Sequence, residues 1–348
     1  MKSKLGEFQA LQNLADRETA GPGVVIDLRD SVEPDGGLLL PALVKAAVRM
    51  AELRQPVWID THLLSPNAAL SRYAGGAFEF LDDRIEAALL EKHGLFAPDV
   101  PAFVPVISAS PTDDELVRVG LLQEHRPRPV VIRFRGLAPN QVDGCLRRVS
   151  PITRGNPLHA VVDLGFVESV HPMQVALTRS LAAELGDRLG ASSTTVLAGS
   201  IPAVRHGFVT TVRERPEVVL WQEVADEVPG INYGDYGVVN PIPQASMDSG
   251  PRTIYPYLYY TVPSRVIAMR RQPVKDDGKL MTGEAFADLA DELVARPDFA
   301  GSTYSWGDRE LAGCRSGGGR SAKTVSRWVA MAMSHHLEHL AKRPPAEL

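Results

Sequence analysis

Short apolar runs, most of them ending on a charged or small polar residue, alternate along this chain with longer stretches in which apolar residues recur every three or four positions. The first kind is the mark of buried strands and the second of amphipathic helices. The strand candidates are Gly23 to Leu28 (GVVIDL), Pro56 to Thr61 (PVWIDT), Phe103 to Ser108 (FVPVIS), Pro129 to Arg135 (PVVIRFR), His159 to Gly165 (HAVVDLG), Thr194 to Pro202 (TTVLAGSIP) and Ile231 to Pro241 (INYGDYGVVNP). Helical spacing predicts helices over Glu7 to Leu14, Leu38 to Leu53, Phe78 to His93, Asp113 to His125 behind the cap Thr112, Gln141 to Val149, and Ser169 to Leu189 with Pro172 in its first turn. Glu217 to Val224 (EVVLWQEV) has strand-like composition, but Pro216 suits a first helical position and apolar residues recur at 218, 221, 225 and 228, so a helix is expected. Beyond Pro241 the alternation breaks. Ile254 to Arg270 reads as a hairpin around Pro263, followed by a helix over Gly283 to Ala295, a Gly-rich loop over Ser302 to Gly319 and a final helix over Ala322 to Ala341.

Counting a stub at Met1 to Lys4, eight strand candidates alternate with eight helices, the signature of a parallel sheet with helical crossovers. The expected fold is therefore α/β, a (β/α)8 TIM-barrel-like domain over 1–300 with a β-hairpin inserted near 252–271. A C-terminal loop and helical extension over 301–348 would pack on it. No G-x-G-x-x-G follows a strand to favour a dinucleotide fold.

Composition narrows the setting. The 348 residues are 44% hydrophobic and 23% charged, ordinary for a globular chain, and no apolar run approaches the ~20 residues needed to cross a bilayer. The start has no apolar signal core, and Cys145 and Cys314 lie far apart without metal-like spacing, so a cytoplasmic address is expected. A net charge of −5 argues against an extended nucleic-acid surface, while leaving room for a small anionic ligand or a protein partner. The short basic clusters Arg126/Arg128 and Arg270/Arg271 read as solvated loops or strand ends.

In barrels of this kind function sits at the C-terminal strand ends. Here these offer Lys2, Lys4, Asp27, Asp60, Ser108, Arg133, Arg135, Asp163, Ser200 and Asp235. A lattice of Arg or Lys with Asp would seal the barrel top, because a buried charge must be paired. A ligand site is the other reading. Asp60, Asp163 and Asp235 would hold a hard cation such as Mg²⁺ while Arg133 and Lys4 clamp an anion, as in metal-assisted phosphoryl or phosphodiester chemistry, or one carboxylate would act as a general base. Asp235, between glycines, is the carboxylate on which both readings turn. Ser200 lies in AGSIP, which lacks the G-x-S-x-G elbow of an acyl-transfer nucleophile. His335, His336 and His339 lack the Glu of H-E-x-x-H and read as a surface or interface feature, and the alternation Tyr255, Tyr257, Tyr259 as hairpin or core packing.

The opening KSKLGEFQAL, AGSIP, INYGDYG, the YYT of Tyr259 to Thr261, and YSWGD followed by SHHLEHL occur in an order that resembles the beta family proteins of phages and bacteria. The resemblance implies importance for Lys2, Lys4, Gly6, Glu7, Asp60, Arg133, Asp163, Ser200, Pro202, Asp235, Tyr236, Tyr260, Gly307, Asp308 and the His335/His336 pair. It implies a role in phage–host conflict or defence and supplies no reaction, so whether the protein is an enzyme stays open, as does its oligomeric state. Members carry a few apolar residues ahead of K-x-K-x-G-E, which leaves the first strand either a stub at Met1 to Lys4 or replaced by Tyr255 to Val262.

Overall fold

In the computed structural model the described residues are 1–16, 21–136, 139–204, 207–242, 255–276, 279–344 and 347–348. They form two compact units. The first comprises Met1–Ser3, Gly23–Gly199 and Pro216–Tyr236, and the second Lys4–Pro22, Ser200–Arg215 and Gly237–Leu348. Elements are numbered along the whole chain.

The first unit holds strands β1 (Val25–Asp27), β2 (Trp58–Asp60), β3 (Val104–Ser108), β4 (Val130–Arg135), β5 (Leu158–Phe166), β6 (Thr194–Gly199) and β8 (Asn232–Asp235). It also holds helices α2 (Leu39–Glu52), α3 (Gly76–His93), α4 (Asp113–His125), α5 (Val142–Thr153), α6 (Pro172–Leu189) and α7 (Pro216–Ala225). The helix expected from Pro216 is thus present. The strands make one parallel sheet in the order β1-β2-β3-β4-β5-β6-β8, and Lys2 adds a single parallel bridge to Asp27 at its edge. The sheet is strongly curled. Arg133 on β4 bonds to Asp27 on β1 and to Tyr236 just past β8, although three strand spacings amount to roughly 14 Å in a flat sheet.

It is nevertheless not the closed barrel that the strand count predicts, since among the described residues no ladder joins β8 to β1. The Tyr257–Val262 strand does not supply the closure either, because it belongs to another sheet, and the stub at Lys2 amounts to one bridge. Strand alternation divides the side chains cleanly. Val104, Val106, Val131, Val161, Leu197 and Tyr236 pack inside the curl, with Val25 and Trp58 against them. Val196 and Ala198 on the opposite face pack against Leu220, Trp221 and Val224 of α7 and Val175 and Ala182 of α6.

In the second unit, β7 (Thr210–Glu214), β10 (Arg265–Arg270) and β9 (Tyr257–Val262) form an antiparallel sheet in the order β7-β10-β9, and β11 (Lys275–Asp276) pairs with β12 (Lys279–Leu280). The hairpin around Pro263 is as expected, except that 252–254 lie outside the described residues. Its third strand, β7, has no counterpart in the apolar pattern, because nearly all of it is exposed. Four helices complete the unit: α1 (Leu5–Gln12), α8 (Thr282–Val294), α9 (Trp306–Gly313) and α10 (Val325–Lys342). The α9 helix replaces the loop expected over Ser302 to Gly319. Ser305 caps it by accepting from the Asp308 N–H, a start signal that the glycines further on obscure.

Residues Ala330 to His339 of α10 are buried all round, which corrects the surface reading of its histidines: His335, His336 and His339 are 1–2% exposed. Glycine permits close approach of its neighbours. A Cβ on Gly6 would lie 2.4 Å from the Ser326 carbonyl oxygen, and one on Gly307 would lie 2.0 Å from that of Met331. Tyr257 and Tyr259 meet edge to face, and Tyr257 contacts Trp328 in the same way, so the tyrosine alternation serves packing.

Candidate functional site

Four inward positions at the C-terminal strand ends of the first unit meet at one point: Asp27, Asp60, Arg133 and Asp163, each no more than 6% exposed. The guanidinium of Arg133 lies between the carboxylates. Its Nη1 donates to Asp27 Oδ1 at 2.5 Å and Asp60 Oδ2 at 2.8 Å, and its Nε donates to Asp163 Oδ2 at 2.9 Å. Tyr236 closes the ring, accepting from Arg133 Nη2 at 2.9 Å and donating to Asp163 Oδ1 at 2.7 Å.

Backbone groups complete the carboxylate coordination. The His62 N–H donates to Asp60 Oδ1 and the Gly165 N–H, across the β-bulge between Asp163 and Gly165, donates to Asp163 Oδ1, both at 2.9 Å. Burial opposes charge on Asp27, but the neighbouring Arg133 outweighs it and holds the carboxyl below its usual range. Arg133 is pushed well above its usual value: burial opposes its charge, and Asp27, Asp163, Tyr236 and Asp60 overcome it. Burial first, then the negative charge of Asp163, raises the Tyr236 phenol, so it remains a donor.

The cation that these carboxylates gather is therefore a guanidinium built into the chain. Among the described residues no group of three or more His, Cys, Asp or Glu has a metal-holding arrangement. Asp235, the residue expected at the centre, lies on the other face of the sheet. It follows Tyr233, which packs against the α6/α7 layer, and it accepts from the Tyr233 hydroxyl at 2.8 Å. Strand alternation gives the inward position to Gly234, and the chain turns inward again only at Tyr236.

Above this sealed layer the rim is more open. Arg135, two positions beyond Arg133 on the same face, pairs with Asp60 Oδ2 while 28% of its side chain stays exposed. His62 lies beside it, exposed over part of its surface, and partial desolvation of its ring, then the Arg135 charge, keep it neutral more readily than an ordinary histidine. Glu115 folds back from α4 to accept from the Ser108 N–H at 3.2 Å, and burial raises its carboxyl. Arg29, two residues past β1, has Nε and Nη2 shut off from solvent and without a hydrogen-bond partner. Neither Arg29 nor His62 nor Glu115 stands in an apolar run, and the sequence flags none of them. Arg128 corrects the solvated reading of its cluster: it is 1% exposed and forks onto Asp82 at 2.5 and 3.0 Å.

The other predicted residues are not among these hydrogen-bond partners of Arg133. Lys2 is buried at the sheet edge, Lys4 is the exposed N-cap position of α1, Glu7 is fully buried in α1, and Ser200 is buried just past β6. Tyr260 belongs to a second network, within the second unit. Asp308, fully buried, accepts from Tyr260 Oη at 2.8 Å, Ser305 Oγ at 2.6 Å and His335 Nδ1 at 2.9 Å. His335 Nε2 lies 2.8 Å from the Thr261 carbonyl oxygen, so both ring nitrogens face acceptors. It stacks on Tyr260 at a centroid distance of 3.8 Å.

Ser, Asp and His thus meet, yet the aspartate sits between serine and histidine, and the far histidine nitrogen is committed to the main chain. The group that faces Ser305 is the Asp308 carboxylate, which Tyr260 and His335 also engage, and the network braces α9 and α10 against β9.

A sequence model of the Beta protein family matches residues 1–342. The chain belongs to this family. Both clusters of the Beta protein, Asp60–Arg133–Asp163–Tyr236 in one unit and Tyr260–Asp308–His335 in the other, lie within the matched span. No curated protein and no solved structure matches the chain. Among the described residues no helix is long and apolar enough to cross a membrane.

Proposed function

We propose that this Beta protein binds a small anionic ligand at the C-terminal rim of its parallel sheet, with the Arg133 network as a rigid floor and Arg29 and Arg135 as the groups that meet the anion. The carrying observation is Arg29. A guanidinium with two nitrogens removed from water and left unpartnered loses hydration that a protein normally replaces, and an anion at the rim would restore it. The metal-assisted hydrolase alternative gains nothing from this geometry, since Arg133 fills the point where a cation would be held and Asp235 faces away. The phage setting that the resemblance implies would place such binding in phage–host conflict, with the ligand or a protein that presents it as the signal.

Titration of the full chain with inorganic phosphate, pyrophosphate and di- and tricarboxylates, followed by calorimetry and thermal shift, tests the binding. At least one anion should bind the native chain, and Arg29→Met should lose that binding while remaining folded. Absence of binding by every anion, or unchanged binding by the variant, would overturn the proposal. Plaque counts on host cells expressing the native chain or Arg29→Met test the biological setting.

A further inference from the structure

The second unit's antiparallel sheet, whose β7 edge has no further strand paired to it among the described residues, points to a second copy of this chain. β9, at one edge, is buried along nearly its whole length, whereas β7 at the other edge is exposed from Thr211 to Glu214. The edge carries no proline, lysine or bulge, its charges are confined to Arg213 and Glu214 at its C-terminal end, and it exposes apolar side chains: Val212 is 49% accessible, and Val209, just before the strand, 55%.

The direction of its main-chain groups follows from one bond. The Arg215 N–H donates to the Ser264 carbonyl at 3.3 Å, on the β10 side, so by alternation Thr211 and Arg213 bond toward β10 and Thr210, Val212 and Glu214 present their N–H and C=O groups outward.

We propose that two copies pair β7 with β7 in antiparallel fashion about a two-fold axis at Val212, joining their sheets edge to edge. A two-fold axis perpendicular to the sheet must pass through a residue, because paired side chains share a face. Centred on Arg213 or Glu214 it would set like charges directly opposite. Centred on Thr211 it would leave Arg213 and Glu214 opposite residues that precede the strand. Only the Val212 axis pairs all five residues of β7: Thr210 with Glu214, Thr211 with Arg213, and Val212 with its own copy. It uses every outward group of the strand, about six main-chain hydrogen bonds.

An interface built on one short strand falls below the roughly 1,200 Å² of standard protein complexes, so the dimer is concentration-dependent. Sedimentation velocity from about 1 µM to about 1 mM should show a monomer–dimer shift. Val212→Lys, at an exposed position, should keep the fold by circular dichroism and remain monomeric throughout.

The register has its own readout. Val212→Cys should form a disulfide dimer under mild oxidation, because opposed residues in such a pair lie about 5.5 Å apart at Cα. Thr211→Cys, opposite Arg213 on the other face, should not. The native Cys145 and Cys314 are buried and do not compete. A native chain that stays monomeric, a Val212→Lys variant that dimerises equally, or equal cross-linking of both cysteine variants would overturn the proposal.

Discussion

Replacing Arg133 by methionine tests the physical account of the first cluster most directly. The side chain is 3% exposed and is the shared partner of Asp27, Asp60 and Asp163. Methionine keeps much of the volume and removes the charge, leaving three buried carboxylates with no central cation. Arg135 still reaches Asp60, but no direct bond from Arg135 to Asp27 or Asp163 is present to take over. Breaking one buried pair costs about 3–5 kcal/mol, and with three carboxylates exposed to the loss that range is a floor.

The pH dependence separates this loss from a packing defect. In the native chain Asp27 has a lowered pKa, so its contribution to stability is present above the unfolded value and is lost as pH falls through the folded one. In Arg133→Met the cation that overcomes the burial of Asp27 is gone, and the buried carboxylates stand without their counter-charge. Their penalty is therefore largest at neutral pH and shrinks as acid protonates them. Urea unfolding of both proteins between about pH 7 and pH 4 should show the gap between them narrowing steadily toward acid. A loss below about 1 kcal/mol at pH 7, or two parallel pH profiles, would refute the reasoning.

Three further outcomes follow from the same structure. Tyr236→Phe removes a hydroxyl that accepts from Arg133 and donates to Asp163; it should cost about 1–3 kcal/mol in urea unfolding. Gly307→Ala should destabilise by at least the roughly 1–3 kcal/mol of ordinary overpacking, since its Cβ would meet the Met331 carbonyl on α10 at 2.0 Å; an unchanged melting curve would contradict that approach. Burial first, then the neighbouring His336 and His335, depresses His339 to about 2, so the unfolded chain binds a proton there that the folded chain refuses and stability falls as pH drops below the ordinary histidine range. His339→Leu should remove one proton's worth of that slope, about 1.4 kcal/mol per pH unit in the acid limb.

Much of the secondary structure was legible because it follows from local period and from cap chemistry. The helix over Asp113 to His125 was read to the residue, since Thr112 accepts from the Glu115 N–H at its start. The helix at Pro216 was separable from a strand by that proline together with the apolar spacing. The charged strand ends were legible too, because a polar residue closing a buried run needs a reason, and Asp60, Arg133 and Asp163 do meet.

What the sequence could not decide was which face each strand end presents and what reaches it from far along the chain. Asp235 and Tyr236 are adjacent in sequence, yet one bonds Tyr233 on the helical side and the other Arg133 on the inner side, a difference set by the register in which the extended chain alternates its faces. Arg133 and Asp27 are 106 positions apart, and only the curl of the sheet brings them to 2.5 Å. The histidines of α10 looked superficial because their helix is rich in polar residues; burial on all sides, with Asp308 and Thr261 as partners, is a property of the assembled second unit. Local periodicity determined the elements and their order, whereas charge pairing across strands and the curl of the parallel sheet are long-range events, and only the tertiary structure holds them.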